Sequence, residues 1–194
     1  SVTVIGKNKK GKSIKTAGAK VGDDIIVTKT VGLEGTFILI NDYEERVKKV
    51  LSKEETELGK KLIDKISVLE EGKIGGEFDA NSMHDITEGG LLGGLFEVAM
   101  ASNKGFKIYK DKIPMLDITK KVCKEFQIDP LRLISSGSML ITTGNGEELI
   151  KKLNESGIEA SIIGTVYENG GILVDDNKEI NVEPPKRDEL FNIK

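Results

Sequence analysis

Apolar and polar positions along the chain change period repeatedly, and the changes mark out a series of short elements. Residues 2–7 alternate and are rich in β-branched types, residues 9–12 form a Lys-Gly turn, and residues 23–29 (DDIIVTK) read as a more continuously apolar strand. Residues 31–41 suit a short helix or a strand because Gly32 and Gly35 frustrate both, with helix the preferred assignment. Charge spacing predicts helix over residues 43–51. Ser52-Lys53-Glu54-Glu55 then forms a capping box, opening a helix that turns Leu58, Leu62, Ile63 and Ile66 inward.

Residues 70–78 are interrupted by Gly72, Gly75 and Gly76 and read as a loop. After it comes the most distinctive segment, MHDITEGGLLGGLFE (residues 83–97), whose apolar positions continue at helical spacing to Met100. Residues 105–109 predict a strand, and residues 117–126 a helix N-capped by Asp117 and carrying Cys123. A short helical turn follows at Asp129-Pro130-Leu131. Residues 138–143 predict a strand, 147–156 a helix stopped by Gly157, and 158–166 and 171–174 two further strands, before a tail that contains Pro184-Pro185. Strands and helices intermix without strict alternation. That pattern predicts an α/β (α+β) sandwich, a mixed β-sheet with helices on its faces, rather than an open dinucleotide-binding sheet or a barrel. With no internal repeat or low-complexity linker, residues 1–194 count as one domain.

Composition narrows the function. The chain is 38% hydrophobic and 31% charged with a net charge of −3, too balanced for a protein that coats nucleic acid or an anionic membrane. No apolar run reaches the length of a membrane span, so neither nucleic acid nor membrane is an expected partner. One cysteine, Cys123, and one histidine, His84, cannot build a Cys/His zinc site or an internal disulfide, and a reducing cytoplasm is the expected location. What remains is carboxylate, hydroxyl and backbone chemistry. The first residue is Ser1 in a strand-like run, so the chain is expected to begin inside a larger protein.

Two segments could carry that chemistry. His84-Asp85-Ile86-Thr87-Glu88-Gly89-Gly90 runs from a strand into a helix, where unpaired N–H groups and the helix dipole favour an anion and Gly89-Gly90 let it approach the backbone. Asp85 adds a hard oxygen ligand of the kind that holds Mg²⁺ beside phosphate. The same residues also fit a bland reading: Asp85 and Glu88 as a capping box, and the pairs Gly89/Gly93 and Gly90/Gly94 as a surface for close packing. Glu97 is either a buried, paired carboxylate or one at the rim. The second segment, Ser135-Ser136-Gly137-Ser138, is a hydroxyl-rich phosphate or substrate contact or an ordinary turn. Asp23-Asp24 reads as a capped turn, and Cys123 as a small buried residue.

Four stretches, AGAKVGDDIIVTKTVGLEGTFIL, MHDITEGGLLGGLFEVA, DPLRLISSGSMLIT and GIEASIIGTV, resemble in that order the C-terminal domain of aminoimidazole ribonucleotide (AIR) synthetase-related proteins. Within that superfamily the chain looks closest to the hydrogenase-maturation branch, which uses ATP to dehydrate a carboxamide to a nitrile. Selenophosphate synthetase and thiamine monophosphate kinase are relatives. The resemblance implies an N-terminal domain that supplies most ATP and Mg²⁺ ligands and a homodimer contact, with residues 1–16 the connection to it and 176–194 a tail. It implies Asp85 as a Mg²⁺ ligand and Gly89 and Gly90 as lining the triphosphate cleft, with His84, Thr87, Ser136, Gly137 and Ser138 facing a small-molecule or protein-carboxamide acceptor. The chain alone is then expected to be inactive. The branch's terminal Pro-Arg-Ile-Cys is absent here, which keeps two other readings open: a non-catalytic nucleotide-binding or assembly module, and a small-molecule kinase of the thiamine monophosphate type.

Overall fold

A computed structural model describes residue 3 and residues 13–193; the strand expected over 2–7 and the turn at 9–12 lie outside the described residues. Among the described residues one mixed sheet of seven strands forms: β1 (Asp24–Thr28), β2 (Ser82–Ile86), β3 (Gly105–Tyr109), β4 (Ser138–Thr143), β5 (Ala160–Tyr167), β6 (Gly171–Asp175) and β7 (Lys178–Asn181). Their order is β2-β4-β1-β5-β3-β6-β7, antiparallel throughout except for the parallel pair β3–β6. The expected α/β fold with a mixed sheet is what forms.

β1 lies between β4 and β5 and is covered on both faces, which explains its unbroken Ile25-Ile26-Val27 run. Ile25 and Val27 face α5 (Gly90–Ser102), which brings down Leu91, Leu92, Leu95 and Val98. Ile26 faces the other way, with Ile141, Leu149 and Leu153, towards α4 (Leu69–Phe78) and α7 (Gly146–Glu155). A third cluster lies among helices: α1 (Leu33–Asp42), the short α2 (Glu44–Val47), α3 (Lys53–Lys60) and α6 (Asp117–Phe126) enclose Leu39, Ile40, Val122 and Cys123.

The capping box at Ser52 is complete, with Glu55 N–H donating to the Ser52 hydroxyl and Ser52 N–H to the Glu55 carboxylate. That helix ends early, however. It passes at residue 61 into a 3₁₀ turn over Lys61–Lys65, so Leu62 is buried but Leu58 points to solvent at 54% exposure. Residues 70–78 are not a loop but most of α4. One of its glycines serves packing, since a Cβ on Gly75 would lie 2.7 Å from the Met83 sulfur on β2. Asp117 is the first residue of α6 rather than its cap; Leu116 holds the cap position with no side-chain bond. The tail contains a strand the sequence pattern did not announce, β7, whose residues are all exposed.

Beyond β7 the chain straps back over the molecule. Val182 N–H donates to the Gly171 carbonyl, Arg132 donates to the Glu183 carbonyl, and Leu190 and Ile193 reach the helical cluster. No helix among the described residues is long and apolar enough to cross a membrane.

Candidate functional site

Strands β1 and β2 end, and β4 begins, at the same edge of the sheet, so their loops meet there. Ser135, fully buried, is the hub. Its N–H donates to the Thr87 carbonyl (3.2 Å) and its hydroxyl accepts from Gly32 N–H (2.8 Å). The Ser138 hydroxyl donates to the Thr30 carbonyl (2.7 Å), and Gly35 N–H to the Ile134 carbonyl (3.1 Å). Gly137, at φ +108°, seats against Ile66 and Leu33. Of the serine turn, Ser138 and Gly137 therefore hold loops together, while Ser136 is half-buried with its hydroxyl in no bond among the described residues.

His84 and Asp85 are neighbours on β2 and so point to opposite faces of the sheet. His84 faces α5, where a Cβ on Gly94 would touch its ring at 3.5 Å. Its Nε2 lies 2.5 Å from Glu97 Oε2 and its Nδ1 3.1 Å from Thr16 Oγ1. The carboxylate accepts from the Nε2 side of the ring, and the Thr16 hydroxyl is the hydrogen-bond partner of Nδ1. Glu97 is a rim carboxylate, its side chain 59% exposed. Together with the Lys15 carbonyl, which accepts from Met83 N–H, the imidazole ties residues 15 and 16 to β2.

Asp85 stands opposite Met139 of β4, exposed, with no hydrogen bond or ion pair among the described residues. Thr87 is exposed beside it. Both oxygens of Asp85 are open to a hard cation, yet no group of three His, Cys, Asp or Glu side chains gathers among the described residues. Asp85 can thus give one ligand to Mg²⁺, the remainder coming from water, phosphate or other chain.

The two glycines that lead into α5 are bonded within the chain. Gly89 and Gly90 adopt φ of +76° and +61° at the start of α5, and both are buried. Gly90 N–H donates to the Thr87 carbonyl, and Gly89 N–H to Asp188 Oδ2 at 2.8 Å. Both amides are thus engaged within the chain, that of Gly89 by a carboxylate and that of Gly90 by a carbonyl. Asp188 is 4% exposed, and its second oxygen accepts from Leu190 N–H. The capping-box alternative fails, since Asp85 lies within β2 and Gly89, not Asp85, precedes α5. The close-packing reading fits: a Cβ on Gly90 would meet the Leu131 and Leu133 carbonyls at 2.8 and 2.6 Å.

Asp188 and Glu34 escaped the sequence reading, and Ser135 entered it only as one member of a turn. Asp188 lies ninety-nine positions from Gly89, and only its bond to Leu190, two residues on, has a local signature. Ser135 is the member of its turn that bonds to the loops after both β1 and β2. Glu34, between the two bonded glycines of α1, buries one carboxylate oxygen with no partner among the described residues.

A family model described as AIR synthase related protein, C-terminal domain, matches residues 20–176. A Methanocaldococcus jannaschii protein named for hydrogenase expression/formation is 33% identical over 184 residues, covering 90% of this chain and 51% of that protein. Carbamoyl dehydratase HypE of Rhizobium leguminosarum is 23% identical over 178 residues, with 90% and 49% covered. The chain therefore spans about half the length of these relatives. Among solved structures, Escherichia coli HypE superposes with a TM-score of 0.75 at 20% identity, over 89% of this chain and 53% of that one, a likeness of fold.

Proposed function

Because this chain belongs to the AIR synthase-related family as its C-terminal domain, we propose that it forms the acceptor-side part of an ATP-dependent enzyme that activates an amide or oxygen acceptor by phosphoryl transfer. One observation carries the reading: Asp85 presents an unpartnered carboxylate where the loops of β1, β2 and β4 converge. Relatives support the nucleotide. One HypE was solved in complex with ATP, and a thiamine monophosphate kinase with AMPPCP and TMP.

In this reading Asp85 supplies one oxygen to Mg²⁺, which neutralises charge on the phosphates when bound. Thr87 and Ser136 present hydroxyls to the acceptor, and Ser135 fixes the spacing of the loops that carry them. His84 serves from behind: clamped by Glu97 and Thr16, it holds β2, and with it Asp85, in register. Gly89 and Gly90 shape the turn. The other half of the relatives' length, a homodimer and a cytoplasmic location belong to the same proposal.

The test is ATP turnover by the protein that carries this domain together with the rest of its relatives' length. Asp85→Asn should lower the magnesium-dependent rate by about 100-fold or more, since a metal-held charge stabilises the transition state by several kcal/mol. An unchanged rate removes Asp85 from the chemistry. Product analysis separates the second reading, a small-molecule kinase, which the fold likeness to a thiamine-monophosphate kinase structure favours (TM-score 0.70). A kinase leaves a stable phosphorylated acceptor, and amide dehydration releases inorganic phosphate.

A further inference from the structure

A cavity of about 510 Å³ opens between the end of β1, the beginnings of α1, α4 and α6, and the turn from α7 into β5. None of the residues given a role in the phosphoryl reading lines it. Its floor is built around a charge pair. Glu71 is 2% exposed, and its Oε1 lies 2.7 Å from the Lys29 ammonium. Lys29 also donates to the carbonyls of Lys65 (2.9 Å) and Ser67 (2.7 Å), so all three of its N–H donors are spent. The Thr30 hydroxyl is likewise committed, donating to the Pro114 carbonyl.

With those donors used, the cavity has little to give an anion. What it offers is acceptors and an apolar wall. Asp64, Glu70 and Glu159 ring the opening, so with Glu71 four carboxylates stand against the two ammonium groups of Lys29 and Lys65. Asp64 and Glu159 have no ion-pair partner among the described residues, and Glu70 reaches only Lys73 at 3.7 Å. Leu116 and Ile158, both half-buried, supply surface for a short hydrocarbon. A pocket with an apolar wall and a few convergent polar groups of one kind is the usual form of a small-ligand site.

We propose that this cavity binds a small organic cation, an alkylammonium or alkylguanidinium group whose charge meets Asp64 and Glu159 while its chain lies against Leu116 and Ile158. The cation is either a free amine or a basic side chain of a polypeptide, and the experiment separates them.

Isotope-labelled protein is titrated with n-butylammonium, and in parallel with butanol and butyrate, while the backbone amides are followed by NMR. Butylammonium should give saturable shifts at Ser67, Gly157 and Glu159. The double variant Asp64→Asn/Glu159→Gln, altering only exposed side chains, should weaken binding about fivefold or more, as expected for partly exposed charge contacts. Added salt should weaken it as well. Shifts of equal size with butanol or butyrate, affinity unchanged in the variant, or no saturable shift at these amides would overturn the proposal. A lysine-containing tripeptide that binds more tightly than butylammonium assigns the cation to a polypeptide; one that binds no better assigns it to a free amine.

Discussion

Cys123 shows how far one buried atom can be read. Only 2% exposed on α6, it has its thiol pushed up to about 12, first by burial and then by the charges of Asp129 and Glu189. An unfolded thiol loses its proton near pH ~8.5. Between those values the unfolded chain has given up a proton that the folded chain keeps, so stability falls as pH rises, by at most roughly 1.4 kcal/mol per unit. Urea midpoints measured from pH 8 to 10 should therefore decline more steeply in the natural chain than in Cys123→Ala; parallel curves would show that the thiol titrates alike in both states. Burial of this residue was legible, since a lone cysteine between apolar helical positions is a packing residue. The partners of His84 were not. Nothing in the local sequence marks Thr16 or Glu97 as contacts, because strand and helix geometry, not spacing, brings them together.

Among the elements, glycine content was the poorest guide. The glycines of residues 70–78 argue for a loop by propensity, yet burial of Ile74 and Phe78 against the sheet holds that stretch helical. The same helix contains a glycine that does nothing of the kind. A Cβ added at Gly76 would meet no atom within 4 Å beyond its own stretch of helix, and its φ is not positive. Gly76→Ala should raise stability by about 0.5–1 kcal/mol, the helix propensity difference. Gly90→Ala should do the opposite by more than about 2 kcal/mol, because it forces a positive φ on alanine and drives Cβ into two carbonyls. Thermal unfolding of the pair decides it, and equal effects would mean that the turn into α5 can relax. Elements with a local signal, such as the Ser52 box and strand β4, were legible to within a residue or so. β7 was not, since a short polar edge strand has no apolar period to reveal it.

For the whole molecule, the sheet class was legible and the strap was not. Residues 182–193 connect layers that are far apart in sequence: Val182 packs with the cluster under α5, Pro185 covers Gly89 and Gly93, and Leu190 and Ile193 close the helical cluster. Asp188 is the fastening point. Its charge sits at the positive end of α5 and accepts two backbone N–H groups. Asp188→Ala should cost about 1–2 kcal/mol, the range for a lost N-terminal cap, and Asp188→Asn less, since the amide oxygen can still accept. Hydrogen exchange should then quicken at Gly89 and Leu190 ahead of β1. Exchange unchanged at those amides would show that the strap is held by its apolar contacts alone.

The position of β1 bears on how the chain is made. Asp24 pairs with Thr143 on one side and Thr165 on the other, so the central strand is made well over a hundred residues before either of the residues that Asp24 pairs with. A ribosome adding about 5–20 residues each second leaves Ile25-Ile26-Val27 waiting for many seconds as an uncovered apolar ribbon. Pairings of such long range also make folding slow once the chain is complete. The strand whose apolar side chains end fully buried is thus one whose burial waits on segments made much later.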